Sequence, residues 1–421
     1  MEIVIKSAKI IDSKSDFNGQ LMDIWIKDGK IKSIEKNINK SDIQDVTAEG
    51  LLVSPSWIDM HANLQDPGYE YKEDIKTGLD AAAAGGFGTV LSSPLSNPVR
   101  DTKAQVEYLL NKSESHIVDA LPYGCVSKHA EGVEIAELKD MSDSGAVAFF
   151  DGKKSIQNPN LLKNALLYAK AFGGTILNYP NTLEVSKGGI MNEGNISTEL
   201  GLKGIAELSE ELMVARDLYI NQYTDGRLHF NTISSSKSLE LIKKAKKDGQ
   251  NVSCDIASYS ISLSENELVE FDTRYKTLPP LRSESTILSL IQGIKDGTID
   301  AICSDHCPED IESKKKELDL ASFGIINLQT CFTAAWTALE KSISIEELIN
   351  LFTYGPANIL GLEKSPIAIG SEASITLFQT DSDSTFTKEM VKSKSENSPY
   401  FGKTLRGNVI GLINNNQLHI N

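Results

Sequence analysis

Eight short apolar segments alternate with helical patterns along the middle of the chain, and nothing else in the sequence constrains its folding as strongly. The strand candidates between about residues 55 and 364 are Trp57-Ile58-Asp59-Met60, Thr89-Val90-Leu91-Ser92, Val118-Asp119-Ala120-Leu121, Ala146-Val147-Ala148-Phe149, Thr175-Ile176-Leu177, Leu228-His229-Phe230, Val252-Ser253-Cys254-Asp255-Ile256 and Ala301-Ile302-Cys303. Helical spacing of apolar residues fills the gaps. Residues 161–170 carry it and stop at Gly173-Gly174, and residues 238–247 carry it and stop near Gly249. Eight strands alternating with helices over roughly 300 residues is the arithmetic of an α/β TIM barrel, (β/α)8. In that architecture chemistry sits at the C-terminal ends of the strands, so those residues carry the question of function.

Both ends of the chain read differently. Glu2-Ile3-Val4-Ile5, Ala8-Lys9-Ile10-Ile11, Asp23-Ile24-Trp25-Ile26 and Lys30-Ile31-Lys32-Ser33-Ile34 alternate in strand fashion, and Lys27-Asp28-Gly29 is a hairpin signal. The style returns at Ala373–Phe378 and Gly407–Ile413. Residues 1–54 plus 365–421 are therefore expected to form one small composite β-sandwich domain, and residues 55–364 the barrel. The net charge of −16 would repel a phosphate backbone, which argues against nucleic acid as a partner. No apolar run reaches membrane-spanning length, and the first residues lack the apolar core of a signal peptide. Five cysteines with no CxxC pair fit a reduced, cytoplasmic setting. Cys303 and Cys307 flank Asp305-His306 and are read as a buried and a loop cysteine.

The end of the first barrel strand, Ile58 to Gly68, looks like a metal-binding strand end that has lost a ligand. His-x-His would aim two imidazoles at one cation, because side chains at i and i+2 share a face. Here the pair is His61 and Asn63, and a neutral carboxamide is a poor zinc ligand.

Several ordered motifs point to ancestry. They are Asp66-Pro67-Gly68-Tyr69-Glu70-Tyr71-Lys72-Glu73-Asp74, Ala81–Phe87, Gly188–Gly194, Met213-Val214-Ala215-Arg216-Asp217, Pro279-Pro280-Leu281-Arg282, Ser304-Asp305-His306-Cys307-Pro308 and Tyr400-Phe401-Gly402-Lys403. Along nearly its whole length the chain resembles the dihydroorotases of the amidohydrolase superfamily, in the form that works beside aspartate transcarbamoylase in pyrimidine synthesis. The resemblance implies a TIM barrel with a composite β-domain. It also implies a zinc-assisted hydrolysis of a cyclic amide, with an aspartate at the last strand shuttling the proton.

Position by position, the family's metal ligands map onto a depleted set. The first-strand pair falls on His61 and Asn63. The bridging acid after the fourth strand falls on or beside Asp151. The fifth- and sixth-strand histidines fall on Asn178 and Thr232, and the eighth-strand aspartate is Asp305. His229 survives at a non-ligand position. Three of four ligand histidines are absent, so His61, Asp151 and Asp305 are expected to be vestigial ligands and no metal cofactor is expected. The family's substrate contacts fall on Gln65, Leu95, Leu278 and Glu309. Losing Arg and gaining Glu makes that pocket more negative, and one like-charge contact at about 4 Å costs on the order of 4 kcal/mol at an effective dielectric near 20.

Each survivor also has a structural reading. His61 is expected to be a hydrogen-bonded barrel-top histidine, and Asp305 either a vestigial proton shuttle or a carboxylate paired with Lys or Arg. His306 and Cys307 would shape a loop, and Lys314-Lys315-Lys316 would be a solvated helix face. Three functions remain. The first is a non-catalytic homologue holding aspartate transcarbamoylase in an assembly, itself a homo-oligomer. The second is a working hydrolase with rearranged ligands and bound zinc. The third is a binding protein using Asn63, Asn178, Asn181, Asn231 and Thr232 toward a polyol or nucleobase.

Overall fold

The computed structural model describes residues 1–40 and 43–421. Every strand candidate of the middle region overlaps a strand of one parallel sheet, although Val118, Ala146 and Val147 fall outside the strands they were assigned to. In chain order the barrel strands are Trp57–Ala62, Phe87–Ser92, Asp119–Gly124, Ala148–Phe149, Thr175–Asn178, Arg227–Phe230, Val252–Ala257 and Ala301–Cys303, each pairing in parallel with the next. The ring closes at its C-terminal rim, where Ala62 bridges His306 and the Asn63 amide donates to the His306 carbonyl at 2.8 Å. The fold is a TIM-like barrel. Its first strand is buried along its whole length, as expected of a parallel strand covered on both faces.

The crossover helices follow from local chemistry. Helix Pro159–Lys170 opens with Asn158 accepting from the Asn160 and Leu161 amides and with proline in its first turn. Helix Ile75–Ala84 opens on a capping box between Asp74 and Thr77. Its buried alanines let it lie close to the barrel wall. A side chain at Gly85 would meet the Leu328 carbonyl at 2.2 Å.

Strands from both termini form a second sheet in the order 417–420, 404–414, 375–385, 52–55, 2–10, 21–27, 30–35, with Gln44–Val46 pairing alongside Glu2–Ile10. Ile5 and Ile24 from the N-terminal part share one core with Ile375 and Ile413 from the C-terminal part. The hairpin signal holds: Asp28 and Gly29 both have positive φ between paired Lys27 and Lys30. The two segments expected as Glu2–Ile5 and Ala8–Ile11 are instead one strand, Glu2–Ile10. A bulge between Ile5 and Ala8 shifts its register, with Ser7 at φ 49° and its amide donating to Asp23. The strand Gln417–Ile420 carries no signal that the sequence reading used.

The two sheets are joined by aromatic packing. Trp57, at the start of the first barrel strand, is fully buried. Its ring lies 4.7 Å from that of Phe332, 5.6 Å from Phe352 and 5.4 Å from Phe378 of the terminal sheet. Among the described residues, no helix is long and apolar enough to cross a membrane.

Candidate active site at the barrel mouth

Asp305 stands at the centre of the mouth. It follows the eighth strand with φ 49°, and Thr232 beyond the sixth strand (φ 51°) and Gln65 beyond the first (φ 59°) share that left-handed backbone. Non-glycine residues adopt it at a cost, and such strain concentrates where strand ends aim side chains at a site. The strained frame is present although most of the expected ligands are not.

Three donors converge on the Asp305 carboxylate. His61 Nδ1 lies 2.6 Å from Oδ1, the Lys153 ammonium 3.0 Å from the same oxygen, and the Tyr259 hydroxyl donates to Oδ2 at 2.5 Å. Burial pushes this carboxyl upward, but the Lys153 charge and the bonds from His61 and Tyr259 outweigh it and hold it below the ordinary carboxylate value. Lys153 also donates to Thr232 Oγ1 at 2.5 Å and lies 4.5 Å from the centre of the Tyr179 ring. Apolar groups wall the site: Phe150 meets the His61 ring edge-on at 5.4 Å and packs with Tyr179 and Tyr259 in one buried cluster.

The remaining expected ligands face elsewhere. Asn63 donates to the His306 carbonyl at 3.2 Å. Asn178 donates to Asp217 at 2.7 Å and accepts from the Ile156 amide at 3.1 Å. Asp151 does not take the bridging place. It accepts from the Val126 amide at 2.8 Å and from the Ser127 amide at 3.1 Å and hydroxyl at 2.6 Å, because these buried donors in the loop after the third strand need an acceptor. Burial raises its carboxyl to about 6. His229 is locked inside the barrel, 2.9 Å from Asp255 and 2.8 Å from Ser253.

The residues where the resemblance puts substrate contacts are also engaged within the protein. The Gln65 amide reaches the Pro308 carbonyl at 3.5 Å. Leu95 packs over Gly152, where an added side chain would meet it at 2.5 Å. Leu278 joins the apolar cluster of Phe150 and Tyr179. Glu309 does not leave the mouth negative as its sequence position suggests. Lys72 neutralises it at 2.9 and 3.1 Å, and Lys153 adds a further positive charge. Lys314 departs from the solvated face expected of it. It is buried and donates to the Ser322 and Gly324 carbonyls at 2.9 and 3.0 Å, because the loop folds back over it. The neutral hydrogen-bonding set is mostly consumed within the protein as well, with Asn231 held by Asp255. His306 bonds the Asn327 amide at 3.0 Å and so shapes its loop.

A zinc ion requires about three nitrogen, sulfur or carboxylate ligands. One feature suits it: His61 Nε2 is buried with no hydrogen-bond partner. The rest of the donor set does not. Asp305 is engaged by a lysine, Asp151, Asn63 and Asn178 are turned away, and Thr232 offers a hydroxyl already bonded to that lysine. Among the described residues, no group of three or more His, Cys, Asp or Glu could hold a metal ion. The residues present do not fit zinc.

Lys153 escaped the sequence reading. Its one signal was position: a lysine two residues beyond Asp151, at the expected bridging acid.

The molecule compares closely in fold with solved hydantoinases and dihydropyrimidinases. L-hydantoinase (dihydropyrimidinase) from Arthrobacter aurescens superimposes with a TM-score of 0.84 at 21% identity, over 99% of this chain and 95% of that one. A dihydropyrimidinase from Brevibacillus agri gives 0.84 at 20%, over 100% and 95%. At the level of sequence, the family model for dihydro-orotase-like proteins matches residues 50–238. A dihydroorotase of Acetivibrio thermocellus is 38% identical over 98% of both chains, and one of Caldicellulosiruptor saccharolyticus is 38% identical over 99% of this chain and 98% of its own. The chain belongs to the dihydroorotase family.

Proposed function

We propose that this chain is a non-catalytic member of the dihydroorotase family that serves pyrimidine biosynthesis as a structural partner of aspartate transcarbamoylase. One observation carries the non-catalytic part: the Lys153 ammonium sits between Asp305 and Thr232, two of the positions where the resemblance puts metal ligands. A carboxylate held by an ammonium, an imidazole and a phenol is a stabilised anion, poorly suited to taking a proton from water. The partner is carried by the resemblance alone. Five free thiols, four of them buried, fit a reducing cytoplasm.

The second reading is an active hydrolase that recruits zinc through His61. It draws on the orphaned His61 Nε2 and on the name shared by the relatives. One preparation tests both. The expected result is co-purification with aspartate transcarbamoylase, sub-stoichiometric zinc by elemental analysis, and no turnover of dihydroorotate or carbamoyl-aspartate. Stoichiometric zinc with turnover establishes the second reading instead, and a chain that ignores aspartate transcarbamoylase removes the structural role.

A further inference from the structure

We infer that Lys153 is the resident cation of the barrel mouth, a tethered monovalent charge that holds the Asp305, Thr232 and Tyr179 strand ends together where a divalent ion would otherwise be needed. This rests on the non-catalytic reading above and says what took the metal's place. The first argument is geometric. Nζ reaches a carboxylate oxygen of the eighth strand end at 3.0 Å, a hydroxyl of the sixth at 2.5 Å, and the face of Tyr179 beyond the fifth at 4.5 Å. One ammonium thus ties three strand ends to the loop after the fourth.

The second argument is charge balance. Among the described residues Lys153 pairs with one carboxylate here, Asp305, because Asp151 is held by Ser127, Asp255 by His229 and Asp59 by Ser304. In a buried, aromatic-walled site a single anion is matched by a single positive charge, and a divalent ion would leave a surplus. The third argument is solvation. Asp305 is 3% exposed, so losing its counter-charge leaves a buried ion with little water around it, open to a replacement cation only through the space the lysine vacates.

Removing the tether should therefore create a vacancy with a defined selectivity. Lys153→Ala leaves room for a small primary ammonium, whereas Lys153→Met keeps the volume filled without charge. Thermal unfolding of the full chain reads the difference. Lys153→Ala should melt several degrees below wild type, and methylammonium chloride at tens of millimolar should restore part of the loss. Tetramethylammonium chloride at equal ionic strength should not, and neither salt should help Lys153→Met. The double variant Lys153→Met/Asp305→Asn, with both charges gone, should melt above either Lys153 single variant. That comparison covers the case in which Lys153→Ala fails to fold.

Methylammonium and tetramethylammonium acting alike, a Lys153→Ala that melts as wild type, or a double variant no more stable than Lys153→Met would each overturn the inference. Turnover by the wild type would sink the non-catalytic reading without touching this rescue pattern, so the two failures are distinguishable.

Discussion

Single residues at the mouth show how a few substitutions redirect a site. His61 and Asp305 are both in place, 2.6 Å apart, yet Asn63 stands where a second imidazole was expected and Asp151 is held by the Val126 and Ser127 donors. Lys314 shows a different conversion, from a residue of a lysine run into a buried strut. Burial lowers its ammonium from the ordinary 10.5 to about 8. The unfolded chain therefore binds more protons than the folded one between about pH 8 and 10.5, and this residue's contribution to stability rises with pH across that window. Below pH 8 the cost of the buried charge is constant. Wild type should gain on the order of 3 kcal/mol relative to Lys314→Met between those limits. Denaturant unfolding of both proteins at several pH values measures this, and parallel pH profiles would refute it.

Among the elements, helix Ile75–Ala84 connects the first strand end to the barrel wall. Asp74 accepts from the Thr77 amide at 2.9 Å, and Lys394 of the segment before the terminal strand Thr404–Asn414 donates to it at 3.1 Å. Asp74→Ala should cost about 1 kcal/mol through the lost cap, and Asp74→Asn should recover most of it. Chemical denaturation distinguishes them, and equal losses in both variants would assign the effect to the Lys394 charge instead. Element positions were legible in the sequence because short apolar runs and stop signals are local. The bulge at Ser7 was not, since it depends on Asp23 of the neighbouring strand accepting its amide.

Across the whole molecule, the terminal sheet and the barrel share one core. Phe378, Val409 and Leu412 of the terminal sheet lie in the same hydrophobic cluster as Trp57, Phe87 and Phe352, and Asn414 donates to the Gly88 and Ile117 carbonyls at 3.2 and 2.8 Å. A chain ending at residue 403 loses two strands of that sheet and uncovers this core. It should lose the cooperative thermal transition and bind a hydrophobic dye. A truncated chain that melts at the wild-type temperature would show the barrel to be self-sufficient.

The sequence by itself determined the barrel, the contribution of both termini to one sheet, the family, and the absence of histidine at three positions where the resemblance puts metal ligands. These are matters of residue type and of spacing along the chain. Only the tertiary structure decided which surviving side chains meet. The loop that carries Lys153 is remote in sequence from Asp305, and ring closure brings the two to 3.0 Å. It likewise turned Asp151 toward buried amides and set Lys72 against Glu309. A buried charge takes its partner from whatever the fold places beside it, and spacing along one chain does not reveal that neighbour.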